Sequence, residues 1–143
     1  MTDATPTPSV PELVAGLADE DPARRAASAR ALNRLGPAAA PALPALVDAL
    51  ADSVFLVRAM AAAAVGRQGE SAAALALGPL VALLEDPVAP VRFWAVDALG
   101  RMPRAAHDVL GALERRAEDE DQGVRGAAVR AAARVRGAHA EDA

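Results

Sequence analysis

One stretch restricts this chain more than any other: Leu84-Glu-Asp-Pro-Val-Ala-Pro-Val-Arg-Phe-Trp-Ala-Val-Asp-Ala-Leu-Gly100. It reads as a helix end, a tight turn at Asp86-Pro87, and a second helix begun near Pro90, where proline's fixed φ suits a first helical turn. Weaker copies stand 34 residues before it and 33 after it, and a fourth lies a further 33 toward the N-terminus. Repetition at such a period marks an array of small units. Each unit is unable to bury its apolar face alone, and each is covered by its neighbours.

The units resolve into helix pairs. Val10, Leu13, Val14 and Leu17 recur as Leu43, Leu46, Val47 and Leu50, and again as Leu77, Leu80, Val81 and Leu84. The fourth copy decays to Leu110, Leu113, Glu114 and Ala117. Spacings of three, four and seven put each set on one helix face. Ser9 with Glu12 has the spacing of a capping box, Asp21-Pro22 is a helix start, and Ser53 and Asp121 are placed to cap elsewhere. The second helices are expected to stop at Gly36-Pro37, Gly69, Pro103 and Gly137. The predicted organisation is a flexible tail over 1–8, one repeat domain over 9–137 (repeats 9–37, 41–70, 75–103 and 107–137), and a frayed tail over 138–143.

Composition agrees with stacking. Hydrophobic residues make up 53% of the chain and aromatic ones only 2%, so a core of Ala, Leu and Val must be built by close helix approach. In the second helices Leu32, Val65, Leu99 and Ala132 share one column. Asn33, Gly66, Gly100 and Ala133, mostly small, share the next. With no cysteine, disulfides and thiol chemistry are excluded. The longest apolar run, 72–84, falls short of the ~20 residues of a membrane span and contains Gly78-Pro79. No basic-then-apolar leader is legible at the N-terminus. The expectation is a cytoplasmic protein that does not enter membranes.

In this pattern, Leu-x-Asp, turn, Val-Arg, Ala-rich helix, Leu-Gly, the chain resembles HEAT repeats over residues 10–137, and most of all the short bacterial HEAT-like type of the phycobilisome-lyase group. The resemblance implies an all-α fold, a right-handed α-solenoid of about four helix pairs. It also implies that the turn aspartates Asp19, Asp52, Asp86 and Asp119 and the arginines Arg25, Arg58, Arg92 and Arg125 bond between repeats as a ladder. Exposed pairs of that kind would contribute ~0–1 kcal/mol each. Departures from the pattern fall at the ends: Arg24 stands where Val57, Val91 and Val124 stand elsewhere, and Glu114, Arg115 and Arg116 make the seventh helix polar. Both ends therefore read as solvent-facing caps of a complete array.

A second arginine column, Arg34, Arg67, Arg101 and Arg134, lies nine residues after the first. It shares a side of the helical wheel with Arg30, Asp97, Met60 and Trp94. Arginine near a helix C-terminus complements the macrodipole, so the column has a local explanation. The other reading is a partner-binding stripe, because in the resembled family second helices line the concave surface. Asp97 is the only carboxylate expected on a second helix, so a chain of net charge −4 could still carry a basic groove. Trp94 and Phe93 fall outside the packed face on the wheel. They either cover a neighbouring repeat or, with Met60, form an apolar anchor.

No catalytic residues are legible. His107 and His139 stand apart, neither with a second ligand at metal spacing, and His107-Asp108 reads as a capping feature. Phosphate-loop and nucleophile-elbow motifs are not found. The expectation is a non-catalytic scaffold without cofactor or metal, monomeric, that binds a protein or peptide presenting carboxylates and an apolar side chain. Nucleic-acid binding through the arginine-lined groove and an accessory role in bilin attachment are the alternatives.

Overall fold

A computed structural model describes residues 6–142, so most of the tail expected over 1–8 lies outside the described residues. Among the described residues there are eight α-helices and no strand: α1 (Val10–Leu17), α2 (Pro22–Leu35), α3 (Leu43–Ala49), α4 (Phe55–Gly66), α5 (Ala73–Leu83), α6 (Ala89–Gly100), α7 (Leu110–Arg116) and α8 (Gln122–Asp142). Short 3₁₀ segments lead into α3, α5 and α7. The first helices pack on their own second helices, and the second helices form a continuous row in which α2 packs on α4, α4 on α6 and α6 on α8. This is the α-solenoid of four helix pairs.

Local signals set the helix ends. The Ser9 hydroxyl accepts from the Glu12 N–H, and the Asp21 carboxylate accepts from the Ala23 N–H, which satisfies otherwise orphaned first-turn donors. Asp121 does the same for Val124 at the start of α8. Ser53 does not cap α4. The Asp52 carboxylate takes the Val54 N–H instead, at 2.9 Å. The chain leaves α2 at Gly36 (φ 58°) and the end of α4 at Gly69 (φ 60°), backbone conformations that side chains with a Cβ rarely adopt.

The helix expected to stop at Gly137 continues through it to Asp142. Two tertiary contacts hold the extension: His139 stacks on His107, and Arg104 bonds Asp142 at 3.1 Å. The core is one continuous column. Leu46, Leu80, Leu84 and Leu113 of the first-helix template are buried, as are Leu32, Val65 and Leu99 of the second helices. Small residues bring the second helices together. A Cβ on Gly66 would lie 3.2 Å from the Ala98 Cβ, and one on Gly100 would lie 2.9 Å from the Ala131 Cβ.

Candidate functional site

Two arginine columns leave the same helices and meet different surroundings. The first runs along the turn edge. The Nε and Nη2 atoms of Arg25 donate to the Asp52 carboxylate at 2.8 and 3.3 Å, those of Arg58 to Asp86 at 2.8 and 3.1 Å, and those of Arg92 to Asp119 at 3.0 and 3.0 Å. Each Nη1 turns back to the backbone carbonyl of its own repeat's aspartate: Asp19, Asp52, Asp86 and, for Arg125, Asp119. Each of these four carboxylates also accepts a backbone N–H two residues on, which fixes the turn. One arginine thus ties two consecutive turns in bidentate geometry, the strong form of this bond.

The ladder is not a set of exposed pairs. Side-chain exposure is 15% and 11% for Arg25–Asp52, 15% and 7% for Arg58–Asp86, and only 7% and 3% for Arg92–Asp119. The small expectation for surface pairs therefore does not apply. Removing one partner strands a charge that the stacked repeats have taken out of water. At the most buried rung, desolvation pushes the Asp119 carboxyl up. Hydrogen bonds from Arg92 and the Asp121 N–H, with the charges of Arg92 and Arg116, outweigh it and hold the group below the usual carboxylate range. Arg92 is correspondingly raised, first by its hydrogen bond to Asp119.

The second column is open. Arg30, Arg34, Arg67, Arg101 and Arg134 are all exposed. Arg67 and Arg101 are the residues that cap α4 and α6 at their C-termini. Arg101 bonds Asp97 at 2.9 Å one turn back, and its Cδ would sit 3.4 Å from a Cβ on Gly66, so it lies across the seam between α6 and α4. Met60 on α4 and Trp94 on α6 occupy equivalent positions, and both are half-buried against the core. Trp94 meets Phe93 edge to face, with ring centroids 5.0 Å apart. The indole is therefore neither free nor enclosed: part of it covers the core and part faces solvent.

The histidines do not stand apart. His107 and His139, 32 residues apart in sequence, stack at 3.9 Å between centroids with planes 13° apart. His107 caps no helix; the turn into α7 has no side-chain cap. Among the described residues no group of three or more His, Cys, Asp or Glu is placed to hold a metal. Sequence reasoning also missed two stitches on the edge opposite the ladder. Gln68 donates to the Gly36 carbonyl at 2.9 Å, and Glu70 accepts the Arg104 and Ala105 N–H groups at 2.6 and 3.2 Å. Polar side chains in 3₁₀ turns carry no periodic signal that would have flagged them.

Stacked helix pairs tied by an Asp–Arg ladder along one edge define a helical-repeat scaffold. The profile for HEAT repeats matches residues 10–78 and 77–143, and the chain belongs to that family. The fold is similar to that of an engineered protein solved by crystallography (TM-score 0.76, 23% identity, covering 90% of this chain and 62% of that one). It is also similar to a designed armadillo repeat protein in complex with the peptide (KR)4 (TM-score 0.74, 23% identity, covering 87% and 63%). This chain thus spans less than two thirds of either. None of the curated proteins compared with it matches. No helix among the described residues is long and apolar enough to cross a membrane.

Proposed function

We propose that this HEAT-repeat chain is a non-catalytic scaffold that binds an acidic peptide or protein surface along the row of second helices. One observation carries the reading. Met60 and Trp94 present partly open apolar surface at matched positions on α4 and α6, and the exposed Arg67 and Arg101 stand at the ends of those same helices. Tryptophan and arginine are the residue types that dominate binding energy at interfaces. A guanidinium takes a carboxylate in bidentate fashion, which adds direction. A designed repeat protein of similar fold holds a peptide of alternating Lys and Arg. Here the exposed stripe is itself arginine, so the complementary partner is acidic, with one apolar side chain for the Met60–Trp94 surface.

The test begins with partner capture and continues by titration. Trp94→Ala should weaken binding roughly tenfold or more and leave the helical circular dichroism unchanged. Arg67→Glu combined with Arg101→Glu should abolish binding to an acidic partner in a folded chain. A Trp94→Ala protein that unfolds would make the indole inter-repeat core and move the binding surface elsewhere. Steeply salt-dependent binding to generic DNA would favour a nucleic-acid partner instead.

A further inference from the structure

The composition of α5 does not match its position. Every residue of Ala73–Leu83 is apolar or glycine, and none carries a charge or a hydroxyl. A helix that is apolar on all sides is ordinarily buried on all sides. Here Ala76, Leu80 and Leu83 face the core, but Ala74, Leu75, Gly78, Pro79 and Ala82 are exposed, Leu75 at 52%. The other first helices place charge on that side: Glu12 on α1, Asp48 on α3, Glu114 and Arg115 on α7. Leu75, Pro79 and Ala82 are spaced as one stripe. Pro79 and Ala82, with Leu83, form one wall of a groove of about 520 Å³ between α5 and α3. Asp48 and Leu50 stand on the other wall.

The next seam shows what such a groove takes. Between α5 and α7, Arg116 reaches across, with Nη1 donating to the Leu84 carbonyl at 3.3 Å and Nη2 lying 3.8 Å from the Glu85 carboxylate. In the repeat register Leu83 stands where Arg116 stands, and Leu50 where Leu84 stands. The α3–α5 seam therefore has no base of that kind. Arg58 borders the groove but is committed to Asp86 and to the Asp52 carbonyl. Among the described residues Asp48 has no cation and the Leu50 carbonyl no side-chain donor.

We infer that the outer face of α3 and α5 docks an amphipathic helix of a partner protein. The partner's apolar edge lies along Leu75, Pro79 and Ala82, and a lysine or arginine on its flank meets Asp48 and the Leu50 carbonyl. The eleven residues of α5 span ~16 Å, enough for about three turns of such a helix. An exposed apolar surface with a polar rim is the mark of an interaction site, and a helix laid in a groove is a recurrent way to fill one. Charge selects a basic partner over a second copy. α1, α3 and α5 carry Glu12 and Asp48 and no arginine, so two such faces would meet acid to acid. The layer of first helices lies across the core from the row of second helices, which leaves the arginine stripe free for its own partner.

The probe is a set of helical peptides with leucines at i, i+4 and i+7 and one arginine stepped along the flank, titrated into the whole isotope-labelled chain. At least one should shift the amide resonances of α3 and α5 saturably and leave those of Arg67 and Arg101 in place. Glutamate in place of the peptide's arginine should weaken binding roughly tenfold or more. Asp48→Arg and Ala82→Arg in the chain should each do the same with unchanged circular dichroism, since both residues are exposed. Neither lies on a second helix, so their effect is separable from that of the arginine stripe. Peptides that leave α3 and α5 unmoved overturn the proposal, as does an Asp48→Arg chain that binds like wild type. Self-association, or adsorption to phosphatidylcholine vesicles, that Ala82→Arg abolishes would also overturn it, by giving the face to a second copy or to lipid.

Discussion

Arg92 and Arg101 sit nine residues apart on one helix and could hardly differ more in consequence. Arg92 is enclosed, gripping Asp119 of the next repeat and the Asp86 carbonyl of its own. Arg101 is open, held only by Asp97 one turn back. The same contrast separates Arg25 and Arg58 from Arg34 and Arg67. What separates the columns is whether stacking brings a turn carboxylate to the guanidinium. Along the turn edge it does, at every internal seam. Along the row of helix ends it does not, and the charge is left for solvent or a partner.

The contrast breaks most visibly at its buried end. Arg92→Ala should cost about 3–5 kcal/mol in chemical denaturation, because Asp119 would remain buried without its main partner. A loss under ~1 kcal/mol would return the ladder to the status of surface pairs. Gly100→Ala tests the close approach behind the ladder. Its Cβ would meet Ala131 at 2.9 Å and should cost about 1–3 kcal/mol through overpacking. A neutral result would mean that α6 and α8 can separate freely.

Acid should act on the ladder as well. The Asp119 carboxyl is depressed in the folded chain, so the stability it contributes is complete above the unfolded-state value of about 4 and is lost as pH falls through the lower folded value. Asp119→Asn should therefore be less stable at neutral pH but flatten the fall in melting temperature below about pH 4; an unchanged acid slope would show that other groups govern acid unfolding. The smallest effect belongs to the open column. Arg101→Ala should shift stability by only ~0–1 kcal/mol, since its i,i+4 pair with Asp97 is partly exposed. A larger loss would show that laying its stem across Gly66 is a structural brace.

The sequence by itself determined the period, the number of helix pairs and the phase of each buried stripe. Those depend on contacts three and four residues apart, and Leu46, Leu80 and Leu113 are buried where their spacing put them. The aspartate and arginine columns were legible too, because a repeat writes the same residue at the same place in each copy. Only the tertiary structure decided what those columns became. The depth of the Arg92–Asp119 rung, the stacking of His139 on His107 that carries α8 past Gly137, and the exposure of Val129 all depend on which surface, if any among the described residues, lies opposite; for the first two it comes from 27 residues or more away. A helical wheel gives the direction of a side chain. Burial needs the neighbour: Val129 shares a column with the buried Ala29, Ala62 and Val96, yet it is 59% exposed.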